Sequence, residues 1–407
     1  MRYGLLGERL GHSFSPQIHH ELWGADYGLF PMGRLEAQAF LDARDFDGLN
    51  VTIPYKTLAL ECCDEVEPLA RRIGSVNTVV NREGKLFGYN TDYHGLRGCM
   101  QRGGLSLAGK KVLIFGGGGT SKTARVVAED CGAREIVVIS RRGEDNYTNL
   151  SRHDDGEILI NTTPVGLFPD TDAKIVDPAL FPRCSGVADV VYNPLNTRFL
   201  CRARELGLPA VGGLSMLVIQ AQVAAKHFVG IDISEAKAEA CLAGLERRCQ
   251  NLVLIGMPGC GKSTVGQRLS VLLDMPLVDT DAEIEHAAGK TIPRIMAEEG
   301  ETTFRDLETE VLRRFGSGHG QIIATGGGAV LRTCNRFYLR QNGYFCYLYR
   351  PLEQLATEGR PLSKGGRALE SLYTQRHEIY TDLCDASVSN TDTPERVARQ
   401  IMEGWLE

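Results

Sequence analysis

No run in this 407-residue chain reaches the ~18 consecutive apolar residues that a membrane-spanning helix needs. Basic residues are outnumbered. The 45 Lys and Arg against 51 Asp and Glu leave a net charge of −6, which gives no electrostatic case for nucleic acid or an anionic membrane surface. Paired metal-ligand spacing is missing as well. The twelve cysteines are scattered, with one adjacent pair (Cys62, Cys63) and no Cys-x-x-Cys. Zinc is therefore not expected, and reduced thiols fit better than a disulfide framework. There is no internal repeat and no low-complexity tract. Charge enters at Arg2, Glu8 and Arg9, too early for a secretory leader. What remains is the expectation of a cytoplasmic globular chain, long enough for two or three domains.

What the chain does have is glycine, in two unlike clusters. An apolar run at 112–115 leads into Gly116-Gly117-Gly118-Gly119-Thr120, and a helix-forming run follows. A second run at 252–255 leads into Gly256-Met257-Pro258-Gly259-Cys260-Gly261-Lys262-Ser263-Thr264. Strand, glycine turn and helix together let backbone N–H groups approach a phosphate at the positive end of the helix. The first cluster has the look of a dinucleotide loop. The second is a full Gly-x4-Gly-Lys-Ser pattern for ATP or GTP, in which Lys262 reaches the β/γ oxygens and Ser263 can ligate Mg2+. NAD-preferring sites place an acid about 20 residues past the glycines. Here Ser140-Arg141-Arg142 stands at that place, and an arginine suits the 2′-phosphate of NADP. A solvated basic turn is the alternative.

Further strand candidates lie at 135–140, 157–161, 187–192, 322–324 and 344–348, with helical periodicity at 215–228 and 234–247. This alternation predicts an α/β chain of parallel sheets with helices on both faces. Ser13 and Ser15 offer hydroxyls at alternate positions of an extended segment, where both can bond one carboxylate; a helix start with Pro16 in its first turn is the other reading. Lys56 falls just past one strand and Asp92 just past another. Meeting in a cleft, they can run acid–base chemistry on a carbinol; singly they are surface charges. In the second half, Asp279 and Asp281 alternate at a strand end, one suited to an Mg2+ shell and one to a hydroxyl acceptor. Arg305 and Glu308 share a helical face, as a structural ion pair would. Gly326-Gly327-Gly328 follows a strand and can present bare N–H groups to an anion. Arg360-Pro361 precedes Ser363-Lys364-Gly365-Gly366, a lid-like stretch.

Taken in order, several motifs resemble the shikimate dehydrogenase family over roughly residues 1–240. They are His12-Ser13-Phe14-Ser15-Pro16, Asn50-Val51-Thr52-Ile53-Pro54-Tyr55-Lys56, Ser75-Val76-Asn77-Thr78, Asn90-Thr91-Asp92, Asn161-Thr162-Thr163-Pro164-Val165-Gly166, Tyr192-Asn193-Pro194 and Met216-Leu217-Val218-Ile219-Gln220-Ala221. The resemblance implies a catalytic Lys56 paired with Asp92 and carboxylate binding by Ser13 and Ser15. Thr52, Asn77 and Gln220 become partners of the ring hydroxyls and carboxylate, with Tyr192 lining the site. It implies NADP contacts from Gly116, Gly117, Gly118, Gly119, Thr120 and Arg141. The reaction implied is reduction of 3-dehydroshikimate to shikimate by NADPH. The span from Arg142 to Ile160 is short for the helix-bearing stretch expected there, which leaves one wall of the adenosine site open.

Residues 249–407 resemble shikimate kinase. That resemblance implies nucleotide contacts from Gly256, Gly259, Cys260, Gly261, Lys262, Ser263 and Thr264, and an Mg2+ shell of Ser263 and Asp279. Shikimate would be bound by Asp281, Arg305, Gly327, Gly328 and Arg376. Asp281 would also hold the acceptor hydroxyl, while Lys262 and a lid arginine, Arg360, act on the transferring phosphoryl group. The product of the first reaction would be the substrate of the second. The implied organisation is a substrate-binding domain at 1–101, completed by the helices of 214–247. A Rossmann-like NADP domain at 102–213 and a P-loop kinase domain at 248–407 complete it. The implied cofactors are NADP(H), ATP and Mg2+, and the implied partners are small molecules alone. Two rivals stand: a quinate- or NAD-preferring dehydrogenase half, and a half reduced to a binding module.

Overall fold

The computed structural model describes residues 2–11, 13–355 and 366–406. His12 and Arg360 lie outside them. The chain divides into two compact units, Met1–Leu245 and Glu246–Glu407.

The first unit contains two sheets. Its N-terminal sheet has strands β1 (Tyr3–Gly7), β2 (Tyr27–Pro31), β3 (Gly48–Val51), β4 (Glu65–Val66), β5 (Thr78–Arg82) and β6 (Lys85–Tyr89), in the order β2-β1-β3-β5-β6-β4. β1 runs parallel to β2 and β3, but β5 is antiparallel to both β3 and β6. This sheet is mixed, and its β5–β6 pairing has a local reason. Glu83 and Gly84 both take positive φ (53° and 82°) and form a two-residue turn. Such a turn makes a hairpin and cannot make a parallel crossover.

The second sheet is wholly parallel: β7 (Lys111–Phe115), β8 (Glu135–Ile139), β9 (Ile158–Asn161), β10 (Gly186–Asp189) and β11 (Ala210–Val211), ordered β11-β10-β9-β7-β8. Every residue of β7 is buried, as a central strand covered on both faces requires. The short span after Arg142 takes the form expected of it. Between β8 and β9 there is one 3-10 turn, Leu150–His153, and no α-helix, and β8 borders the sheet. The chain then returns through the helix Leu214–Val229, which crosses the helix Asp92–Arg102 closely. A Cβ on Gly95 would stand 2.6 Å from the Met216 carbonyl oxygen. The helix Glu235–Cys249 follows.

The second unit holds one parallel sheet: β12 (Asn251–Ile255), β13 (Leu277–Asp279), β14 (Ile322–Ala324), β15 (Gly343–Tyr349) and β16 (Ala386–Ser389), ordered β13-β14-β12-β15-β16. β12 is fully buried. In both parallel sheets the strand before the glycine loop, β7 or β12, is the one where strand order reverses. That reversal opens a crevice at the carboxyl end of the strand, where α/β sheets bind ligands. Among the described residues no helix is long and apolar enough to cross a membrane. All twelve cysteines are free thiols.

Candidate functional site

In the first unit, the turn after β3 delivers Lys56 to the start of the helix Lys56–Cys62, and the turn after β6 delivers Asp92 to the start of its helix. The two strands flank β5, so both side chains reach one cleft. Lys56 Nζ lies 2.5 Å from Asp92 Oδ2, with the side chains 12% and 10% exposed. Asn77 Nδ2 donates to the other carboxylate oxygen at 2.9 Å and to Thr91 Oγ1 at 3.0 Å. Thr91 N–H returns a bond to Asn77 Oδ1 at 2.7 Å, and its hydroxyl donates to Gln220 Oε1 at 3.3 Å. Four residues picked from the sequence therefore converge. Thr91, part of a quoted motif yet given no role, is the hinge of their network. Thr52 is half-buried, with its methyl packed against Gly7.

Ser13 and Ser15 do not lie on an extended segment. Ser15 begins the helix Ser15–Trp23, with Pro16 in its first turn. Ser13 Oγ accepts the Ser15 N–H at 3.2 Å, because the orphan donors of a helix start take the nearest oxygen. The hydroxyls still face each other at 3.1 Å. The phenol of Tyr192 bonds to Ser13, and burial raises its pKa.

The glycine loop abuts the lysine. Thr120 Oγ1 accepts from Lys56 Nζ at 3.3 Å. A Cβ on Gly119 would stand 2.9 Å from Ser75 Oγ and 3.2 Å from Lys56 Cδ, so no side chain fits there. Gly116 has φ 127° and would clash with Thr162 Oγ1 at 2.5 Å. Gly117 packs on Ser140, while Gly118 caps the helix Gly119–Asp130 and faces open space. Exposed Arg141 follows β8. Bare N–H groups at a helix start, with a cation past the next strand, fit a phosphorylated dinucleotide.

In the second unit the phosphate loop closes on itself. Lys262 Nζ donates to the carbonyls of Gly256 (2.8 Å) and Met257 (3.0 Å) and is 8% exposed. Gly256, Gly259 and Gly261 all take positive φ (147°, 86°, 96°), which only glycine adopts freely. The Cys260 side chain is buried, and its carbonyl accepts from Asn390 Nδ2 at 2.6 Å. Asn390 had no local signal in the sequence. Ser263 and Thr264 are exposed at the helix start. The Ser263 hydroxyl donates to Asp279. A hydroxyl and a carboxylate supply the hard oxygens Mg2+ takes beside phosphate and water.

Asp281 is not a strand-end residue. β13 stops at Asp279, whose carboxylate caps the helix Thr280–Ala288 by accepting from Asp281 N and Ala282 N, so Asp281 sits in its first turn. The acceptor group nevertheless assembles. A Cβ on Gly326 would lie 2.7 Å from Asp281 Oδ1. The Arg305 guanidinium packs against Gly328 and pairs with Glu308 at 3.0 Å. Glu308 is 1% exposed, and burial raises its carboxyl pKa against the pull of Arg305. Arg376 is 3% exposed, with Nε lacking a partner. Tyr380, four residues on, donates to the Gly327 carbonyl.

A buried lysine–carboxylate couple against a dinucleotide loop defines an oxidoreductase-type site. A phosphate loop facing acids and arginines defines a phosphotransferase-type site. Comparison with known proteins makes this specific. Residues 5–79 match the family model described as shikimate dehydrogenase substrate binding domain, and residues 258–405 match shikimate kinase. A shikimate dehydrogenase (NADP(+)) of Clostridium perfringens is 34% identical over 270 residues, covering 60% of this chain and 98% of the relative. A chorismate mutase/shikimate 5-dehydrogenase fusion protein from Clostridium acetobutylicum superposes with a TM-score of 0.56 at 33% identity, covering 60% of this chain and 97% of that one. A shikimate 5-dehydrogenase from Thermus thermophilus, solved with NADP(H) and shikimate, gives 0.54 at 33% identity, covering 60% and 98%. The chain belongs to the shikimate dehydrogenase family and carries a shikimate kinase domain behind it.

Proposed function

We propose that this chain catalyses two consecutive steps. The first is NADPH-dependent reduction of 3-dehydroshikimate to shikimate. The second is ATP-dependent phosphorylation of shikimate to shikimate 3-phosphate. What supports the reading is that each half gathers its candidate residues: Lys56–Asp92 beside Gly119, and the Lys262 loop with the acceptor turn at Gly326–Gly328 against Asp281 and Arg305.

In the dehydrogenase, residues 1–101 with the helices of 214–247 hold the substrate and 102–213 hold the cofactor. NADPH, when bound, supplies the hydride. Ser13, Ser15 and Tyr192 grip the carboxylate, while Thr52, Asn77 and Gln220 orient the ring. As the ketone gains electrons its oxygen becomes an alkoxide, and the Lys56 ammonium, held by Asp92, gives it a proton. General acid help of this kind is worth roughly 10²–10⁴ in rate. Gly116 to Thr120 take the pyrophosphate and Arg141 the 2′-phosphate.

In the kinase, residues 248–407, Arg305, Arg376 and the N–H groups of Gly327 and Gly328 read the carboxylate and hydroxyls. Asp281 accepts the acceptor's proton. Lys262 turns from its loop carbonyls to the phosphates, and Ser263 with Asp279 would hold Mg2+. The lid role of Arg360 rests on resemblance alone. The ordinary charge balance and the shikimate route together favour a cytoplasmic location. Incubation with 3-dehydroshikimate, NADPH and Mg-ATP, followed by mass spectrometry, should yield shikimate 3-phosphate. Shikimate alone would remove the kinase half of the reading, and unreacted substrate the dehydrogenase half.

A further inference from the structure

Gly327 is where three segments of the kinase unit converge. A Cβ there would stand 2.6 Å from both Cγ and Cδ of Pro258, so the acceptor loop touches the phosphate loop at van der Waals range. The Gly327 carbonyl accepts the phenol hydrogen of Tyr380. Tyr380 is 1% exposed and belongs to the helix Gly366–Leu383, where it stands one turn after Arg376 on the same face. The Arg376 guanidinium lies near the same phenol, close enough to oppose part of its pKa shift. Arg376 itself is 3% exposed, yet its Nε has no partner. Buried donors in native proteins are almost always satisfied, and an exception calls for a reason such as a catalytic role or a water or ion that completes it.

We infer that Tyr380 is a positioning residue of the kinase reaction, whose one hydroxyl ties down the Gly327 turn that reads the acceptor beside the Arg376 guanidinium. The inference rests on the kinase reading above. Packing alone needs only the ring, which stacks on Tyr347 with centroids 5.2 Å apart. A bare phenyl would fill that space. The hydroxyl adds a donor to the Gly327 carbonyl, and burial raises its pKa so that it keeps its hydrogen at neutral pH. Tyr347 supplies the contrast: its own hydroxyl turns away to His377 Nδ1, at 3.3 Å.

The test is Tyr380→Phe in the full chain, which retains the ring. The KM for shikimate should rise about fivefold, with kcat and the KM for ATP little changed, as for the loss of one neutral hydrogen bond. Tyr347→Phe should leave the shikimate KM unchanged. An unchanged shikimate KM, or equal rises for shikimate and ATP, would each overturn the inference. A Tyr380→Phe chain whose kinase unit does not fold would do so too, by assigning the hydroxyl to stability. If the unsubstituted chain does not phosphorylate shikimate, the kinase reading itself falls.

Discussion

The two glycine loops solve one problem with their charges placed differently. In the kinase unit the cation belongs to the loop: Lys262 follows Gly261 and bonds the loop's own carbonyls. In the dehydrogenase unit the loop carries no lysine at its crown. The cation arrives from another sheet, as Lys56 pressed against Gly119 and 3.3 Å from Thr120 Oγ1. A loop that serves phosphate transfer needs its positive charge on the phosphates. A loop that only anchors a hydride carrier leaves the charge free to act on the substrate's carbonyl. On the proposed reading, the same backbone device would hold the reacting part of one nucleotide and the handle of the other.

Separating the two functions by mutation breaks this comparison most sharply. Lys56→Ala should lower NADPH oxidation by roughly 10²–10⁴ and leave phosphorylation of supplied shikimate intact. Lys262→Ala should lower phosphorylation by about 10²–10³ and leave NADPH oxidation intact, followed by paired absorbance and ADP-release assays. A crossed loss in either variant would mean that the units depend on one another. A smaller effect, about tenfold, is expected from Arg141→Ala on the preference for NADPH over NADH. An unchanged ratio would assign Arg141 to a solvated turn.

The weakest effect concerns stability. Asp189 is buried among Thr197, Asn161 and the Val191 N–H, and burial pushes its carboxyl up to about 7. In the unfolded chain it titrates near ~4. The unfolded state therefore releases the proton first as pH rises. The stability this site contributes is complete below about pH 4 and declines until pH reaches about 7. Between pH 5 and pH 8 the melting transition raised by NADPH should fall, and Asp189→Asn should flatten that fall. An equal fall in the variant would place the titrating group elsewhere.

The parallel sheets and both loops were legible because their signals are local: a buried β-branched strand, a glycine turn, a helix. The Lys56–Asp92 pair was suggested by two charges each just past a strand, but it became specific only through family motifs, since its partners lie 36 residues apart. The antiparallel β5–β6 hairpin went unread because Glu83-Gly84 is a modest turn signal beside the alternation around it. Asp281 was misplaced by two residues of strand, because an acid at a strand end and an acid in a helix's first turn look alike without the cap. Asn390 and Tyr380 lie 130 and 53 residues from the backbone groups they hold, beyond the reach of any local pattern.

The missing helix after β8 has a cost in handling. As a border strand, Glu135–Ile139 offers one row of backbone N–H and C=O groups to whatever comes alongside, and it does so with the sequence Glu-Ile-Val-Val-Ile. Apolar border strands seed edge-to-edge association between molecules. Concentrated solutions should therefore lose protein to sheet-rich aggregates that begin here, and a lysine in place of Val138, which is only half-buried, should keep them clear.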